Sequence, residues 1–144
     1  ALMGLVGLAG VFVAGFASDR VGPILPTLVC FVLRIVVFGV VMVTGSVFAI
    51  VGFALVYGFT FWITAPLTIV FVRQYFGTAH LGTLTGIIVM VHHAAGGLGA
   101  YTGGAAYDAL GSYQVVFQLM LILSVAALFI PWLMAKARHS TTGV

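Results

Sequence analysis

The sequence predicts an all-α, polytopic membrane protein with five transmembrane helices. Of its 144 residues, 63% are apolar. Only seven are charged, five Lys or Arg and two Asp, whereas a soluble domain carries about a quarter of its residues as charges. The apolar residues gather into five runs, 1–17, 24–44, 47–72, 81–106 and 115–135, separated by Gly, Pro, Ser or charged punctuation. A crossing helix needs ~20 apolar residues, so the runs fill a single transmembrane domain over 1–144 and leave no room for an extramembrane one. Barrel strands would alternate polar and apolar residues over about ten positions. These runs are continuous, and a helix satisfies its own backbone hydrogen bonds in hydrocarbon.

The first run, Ala1–Ala17, has no Met, basic n-region or cleavage site. It reads as a helix entered part-way rather than as a signal peptide. The second, Ile24–Thr44, is interrupted by Arg34, the third carries Pro66, the fourth holds His92-His93, and the fifth opens on Gln114 and Gln118. Pro66 removes a backbone donor and predicts a kink in the third helix.

Charge placement gives the orientation. Arg20 follows the first run, Arg73 the third, and Lys136 with Arg138 the fifth, while the connections after runs two and four hold no Lys or Arg. All loop cations share one side, which the positive-inside rule makes cytoplasmic. The C-terminus is then inside and the N-terminus outside, so earlier spans are expected to precede this stretch. Trp132, Tyr75 and Phe76 suit the inner aromatic belt, and Tyr107 and Tyr113 the outer one. The pI of about 9.4 reflects the shortage of acids. Scattered cations give no basic face for nucleic acid, and a single cysteine, Cys30, excludes an intrachain disulfide or a cysteine metal cluster. No cofactor or metal is called for.

Between runs one and two stands Gly15-Phe16-Ala17-Ser18-Asp19-Arg20-Val21-Gly22-Pro23. Gly15 and Ala17 allow close helix approach, Asp19 suits the positive end of the next helix, and Gly22-Pro23 turns the chain. Arg20 is left for a neighbouring segment or a lipid phosphate. This stretch resembles the G-x-x-[AS]-D-R-x-G-[RK]-[RK] loop of the major facilitator superfamily, with Gly15, Ser18, Asp19, Arg20 and Gly22 in place. Pro23 and Ile24 stand where that family has basic residues, which weakens the charge relay attributed to the loop. Phe76-Gly77, Leu84-Thr85-Gly86, Gly96-Gly97-Leu98-Gly99 and the Gly103–Tyr113 segment are similar to the eleventh helix and following loop of the superfamily, most closely in its monocarboxylate and oxalate/formate branch. The resemblance implies a partial major facilitator fold in which the five spans are helices eight to twelve. Helices two to six are the alternative, because the halves are repeats. The C-terminal half is preferred because the third span lacks the Arg-x-x-x-Gly pattern of the fourth helix.

Several polar groups lie at bilayer depth. Arg34 sits about ten residues into its run, where an arginine costs at least ~2.5–3.5 kcal/mol. No acid in spans two to five matches its depth, which leaves the rest of the protein or an anionic solute as partner. A structural role with the long side chain snorkelling is the other reading. His92 and His93 offer imidazoles able to carry a proton or to bond a neighbouring helix. Pointing about 100° apart, they are not expected to share one cavity equally. Tyr57, Thr60, Thr64 and Thr68 share one face of span three, beside the Phe53, Tyr57, Phe61 ladder and mid-span Trp62. That stripe suits a solute pathway, or threonines bonded to their own i−4 carbonyls. Small residues at 82/86, 95/99/103 and 96/100/104 predict helix-packing ridges. Asp108 with Gly111-Ser112 reads as an outer turn that caps helix ends.

The resemblance implies a secondary active transporter working by alternating access at the plasma (inner) membrane, with a second half completing the cavity and lipid around it. Arg34, the histidines and the lack of acids point to a small anionic solute such as a monocarboxylate, with the proton as coupling ion. A non-transporting helical scaffold or subunit is the alternative. A membrane-embedded enzyme fits poorly, since no H-E-x-x-H or G-x-S-x-G motif and no in-span carboxylate exists.

Overall fold

The structure is a computed structural model and describes residues 2–141. Ala1 and the side chain of Arg138 lie outside the described residues. The helices are α1 (Leu2–Val21), α2 (Ile24–Thr44), α3 (Val47–Phe61), α4 (Thr64–Phe76), α5 (Leu81–Leu110) and α6 (Gln114–Thr141). They make five crossings, because α3 and α4 are halves of one span over Val47–Phe76.

Three helices run four residues beyond their apolar runs, to Val21, Phe76 and Leu110. Charged and aromatic residues at those ends do not break the backbone ladder. What stops the helix is a left-handed residue that only glycine adopts freely. Gly22 (φ 80°) and Gly111 (φ 64°) play this part, and their N–H groups bond Ser18 and Tyr107 carbonyls at 2.9 and 2.8 Å. The expected loop over Gly15–Pro23 is therefore mostly helix, with only Gly22-Pro23 outside it. Arg20 is not free at this end. Its guanidinium lies 4.1 Å from the centre of the Phe16 ring one turn back.

The closest helix contact joins α1 and α3. A methyl on Gly7 would meet Trp62 Cδ1 at 2.6 Å, one on Gly58 would meet the Met3 Cα at 2.8 Å, and one on Gly10 would overlap the Phe59 carbonyl oxygen. Gly15, expected to serve close approach, has nothing within 4 Å of that position. The approach lies further up α1, where small residues on both helices coincide.

Helix α2 packs between α3 and α6. Ala14, Cys30, Ile63 and Leu67 form a buried cluster, with Phe59 against it. Higher in the bilayer, Phe38 of α2, Phe53 and Tyr57 of α3 and Phe117 of α6 make an aromatic knot with centroids 5.1–6.1 Å apart. At the turn between α5 and α6, Tyr107 and Tyr113 stack at 4.6 Å.

Helix α5 behaves differently, having no buried residue. Its glycine ridges at 82, 86, 96, 97, 99, 103 and 104 have nothing within 4 Å of a built Cβ. The packing expected of those ridges is therefore not made among the described residues.

Candidate functional site

Span three is interrupted at Trp62 and Ile63. Both keep right-handed helical dihedrals, so the break is a loosened turn and not a loop. Pro66 supplies the cause: without an N–H it cannot bond the Trp62 carbonyl, and its ring crowds that group. The ladder resumes with Leu67 N–H to Ile63 O at 3.4 Å. Ending α3 at Phe61 leaves its last carbonyls without intrahelical donors.

One of these, the carbonyl of fully buried Thr60, receives two side-chain donors from α2. Arg34 Nη2 donates at 2.7 Å and Cys30 Sγ at 3.4 Å. Arg34 Nε also donates to Thr60 Oγ1 at 3.3 Å, and that hydroxyl donates to the Tyr57 carbonyl at 3.1 Å. The guanidinium carbon lies 5.5 Å from the Phe31 ring centre and 5.6 Å from that of Tyr57. Of the two readings left open for Arg34, a solute or distant partner and a structural role, these contacts favour the structural one. Its partners are a helix-end carbonyl, a hydroxyl and two ring faces of this chain, and a backbone carbonyl compensates a cation as an acid would, only more weakly.

The second group surrounds a cavity of about 530 Å³ between the Phe61–Ile69 stretch and α5. Trp62, Thr64, Thr68, Thr85, His92 and His93 supply its polar lining, and Phe61, Ile69, Ile88 and Val89 part of its apolar wall. Both histidines line it. Their rings meet edge to face, 5.7 Å between centroids. His93 Nδ1 lies 2.8 Å from the Val89 carbonyl oxygen, a contact that needs a proton on Nδ1. Neutral His93 therefore presents Nε2 as an acceptor.

The expected stripe Tyr57, Thr60, Thr64, Thr68 is thus divided by the break. Tyr57 and Thr60 belong with Arg34, while Thr64 and Thr68 line the cavity. Thr64 and Thr68 donate to the carbonyls of Phe61 and Thr64 at 3.4 and 2.7 Å, which leaves their oxygens as acceptors toward the cavity. Thr85 was not singled out by the sequence as a site residue. Its Oγ1 is buried with no hydrogen-bond partner, and a threonine inside an apolar run carries no signal of that. Among the described residues no group of three or more His, Cys, Asp or Glu could hold a metal, and no carboxylate lines the cavity.

The arrangement can accept a small amphiphilic molecule. Its volume falls within the range of small-ligand pockets, its wall is mainly apolar, and its polar groups are hydroxyls and imidazoles. The four conformational-motif residues, Gly15, Asp19, Arg20 and Gly22, lie apart from it at the end of α1.

Residues 1–143 match the Major Facilitator Superfamily. The uncharacterized MFS-type transporter YcxA of Bacillus subtilis (strain 168) is 30% identical over 94 residues, which cover 61% of this chain and 23% of the relative. The chain thus matches only a minor part of that relative's length. No solved structure matches it. A match over nearly the whole chain, five apolar crossings and the Asp19-Arg20 motif agree: this integral, multi-pass, all-α membrane protein belongs to the major facilitator superfamily, a superfamily of non-catalytic carriers.

Proposed function

We propose that the chain forms part of a secondary active transporter of a small organic anion, a monocarboxylate being the first choice, coupled to protons by alternating access. The observation that carries this reading is the cavity of about 530 Å³ at mid-span, lined by Trp62, Thr64, Thr68, His92 and His93. An imidazole in such a cavity can hold a proton while a carboxylate is present and release it when the site turns to the other side. Two imidazoles and no carboxylate in the lining favour an anion over a cation. The apolar wall favours one carboxylate on a short hydrocarbon body.

In this reading the five spans are helices eight to twelve of a twelve-helix carrier of the monocarboxylate and oxalate/formate type, in the plasma membrane with the C-terminus cytoplasmic. The Asp19-Arg20 motif then lies at the cytoplasmic end, beside the interface between halves. The open ridges of α5 support a second set of helices facing it. Surrounding lipid covers the remaining apolar surface.

The test is uptake by the full-length protein in proteoliposomes, with carboxylates tried first under an inward proton gradient. Gradient-dependent accumulation of a monocarboxylate is expected. Failure with every carboxylate, alongside uptake of an uncharged solute, would overturn the anion reading.

A further inference from the structure

Arg34 lies midway along its span, and it makes contacts that a cavity-lining role does not explain. Its guanidinium meets Thr60 twice, through Nη2 on the carbonyl at 2.7 Å and Nε on the hydroxyl at 3.3 Å. Thr60 is the penultimate residue of α3, at the end where a helix gathers partial negative charge and unpaired carbonyls. In water such carbonyls bond solvent. In hydrocarbon they need a donor from the protein. The thiol of Cys30, one turn before Arg34 on α2, adds a weaker donor to the same oxygen at 3.4 Å.

We propose that Arg34 is a positioning residue that caps the C-terminus of α3, holding span three divided at Trp62–Ile63 so that α4 keeps its own angle against the His92/His93 helix. The side chain acts at a distance from the cavity. Its cap stabilises the broken form of the span relative to the continuous helix, in which the Thr64 N–H would compete for the Thr60 carbonyl and weaken the guanidinium's hold on it. Trp62 carries the effect outward, since its ring packs on Gly7 of α1 and also lines the cavity. Thr64 and Thr68, on the far side of the break, move with α4. The cap is read without reference to any solute; only its consequence for transport rests on the transporter reading.

Two measurements on the full-length protein test this. The first is the rate at which a membrane-impermeant methanethiosulfonate reagent labels Ala65→Cys, on the cavity side of α4, corrected for labelling of the protein without that change. Arg34→Gln is expected to alter the rate by about fivefold or more, and Arg34→Lys, which keeps a cation and one donor, by no more than about twofold. The second is a double-mutant cycle on thermal melting. Pro66→Ala restores the missing N–H and lets the helix close, so Arg34→Gln should lower the melting temperature at least about twice as much in the native background as in Pro66→Ala. Should Arg34→Gln alone fail to fold, recovery of folding by Pro66→Ala supports the cap and continued failure overturns it. Unchanged labelling in a folded Arg34→Gln protein, or equal melting losses in the two backgrounds, also overturns it. Neither readout uses a transported solute, so absence of uptake would count against the transporter reading and leave the cap standing.

Discussion

His93 Nδ1 lies 2.8 Å from the carbonyl oxygen of Val89, one turn earlier in α5. The contact fixes the ring and puts the neutral proton on Nδ1, so Nε2 is the atom ready to take a second proton. His92 has no such anchor among the described residues. Replacing His93 by Ala is therefore expected to reduce proton-driven uptake by about tenfold or more, equivalent to ~1.4 kcal/mol or above, and His92→Ala to reduce it less. Initial rates in proteoliposomes, with and without a gradient, check the order. Wild-type rates in both variants would remove histidine from the mechanism.

The α1–α3 contact predicts a contrast between two glycines of one helix. In Gly10→Ala the new methyl overlaps the Phe59 carbonyl oxygen, so the helices must part, at a cost of about 1–3 kcal/mol. Gly15→Ala meets nothing within 4 Å and gains helix propensity of up to ~1 kcal/mol. Thermal melting of the purified full-length variants should fall for the first and hold or rise for the second. The reverse order would mean that the two helices do not touch at Gly10.

Much of the fold could be read before any coordinates, because hydrocarbon leaves the backbone few options and a five per cent charge content leaves the chain few places outside it. The ends of helices were harder. Asp19, Arg20 and Arg73 look like the start of loops, yet the helical ladder takes no notice of side-chain polarity and stops only at Gly22 and Gly77. Pro66 announced a disturbance in span three, but its place depends on a carbonyl four residues earlier. Arg34 shows a deeper limit. Its partner is not an acidic side chain but a main-chain carbonyl, a group that every residue owns and no sequence marks. The glycines are ambiguous in sequence for a related reason. Many are spaced for helix contact, and only a second helix decides that Gly7, Gly10 and Gly58 are used while Gly15 is not.

Gly22 carries the turn that ends α1 at a φ of 80°. An alanine there must enter the left-handed region at a cost of about 1–2 kcal/mol. Asp19 is exposed, and Asp19→Asn removes a charge without opening space in the core. Gly22→Ala should lower the melting temperature of the full-length protein and Asp19→Asn should leave it within about 2 °C. Any loss of uptake in Asp19→Asn would then be a conformational effect of the motif and not a loss of fold. A large drop in melting temperature for Asp19→Asn would show instead that the carboxylate holds α1 in place.

Thr85 offers the sharpest separation of solute binding from stability. The α4 threonines send their hydroxyl protons to main-chain carbonyls three or four residues back, as Thr68 does to Thr64 at 2.7 Å. Thr85 makes no such bond: its oxygen is buried without a partner in a residue that lines the cavity. An unpaired buried hydroxyl costs roughly 1–3 kcal/mol, and a bound carboxylate could recover it by accepting the hydroxyl proton. Thr85→Val keeps the side-chain shape and deletes the group. Without solute, its melting temperature should therefore equal or exceed that of the native protein. With solute, KM should rise by about tenfold, the equivalent of ~1.4 kcal/mol, while the maximal rate changes less. Both are measured on one preparation, melting in detergent and uptake after reconstitution. A fall of several degrees in melting temperature with KM unchanged would make Thr85 a structural hydroxyl whose partner lies elsewhere in the protein.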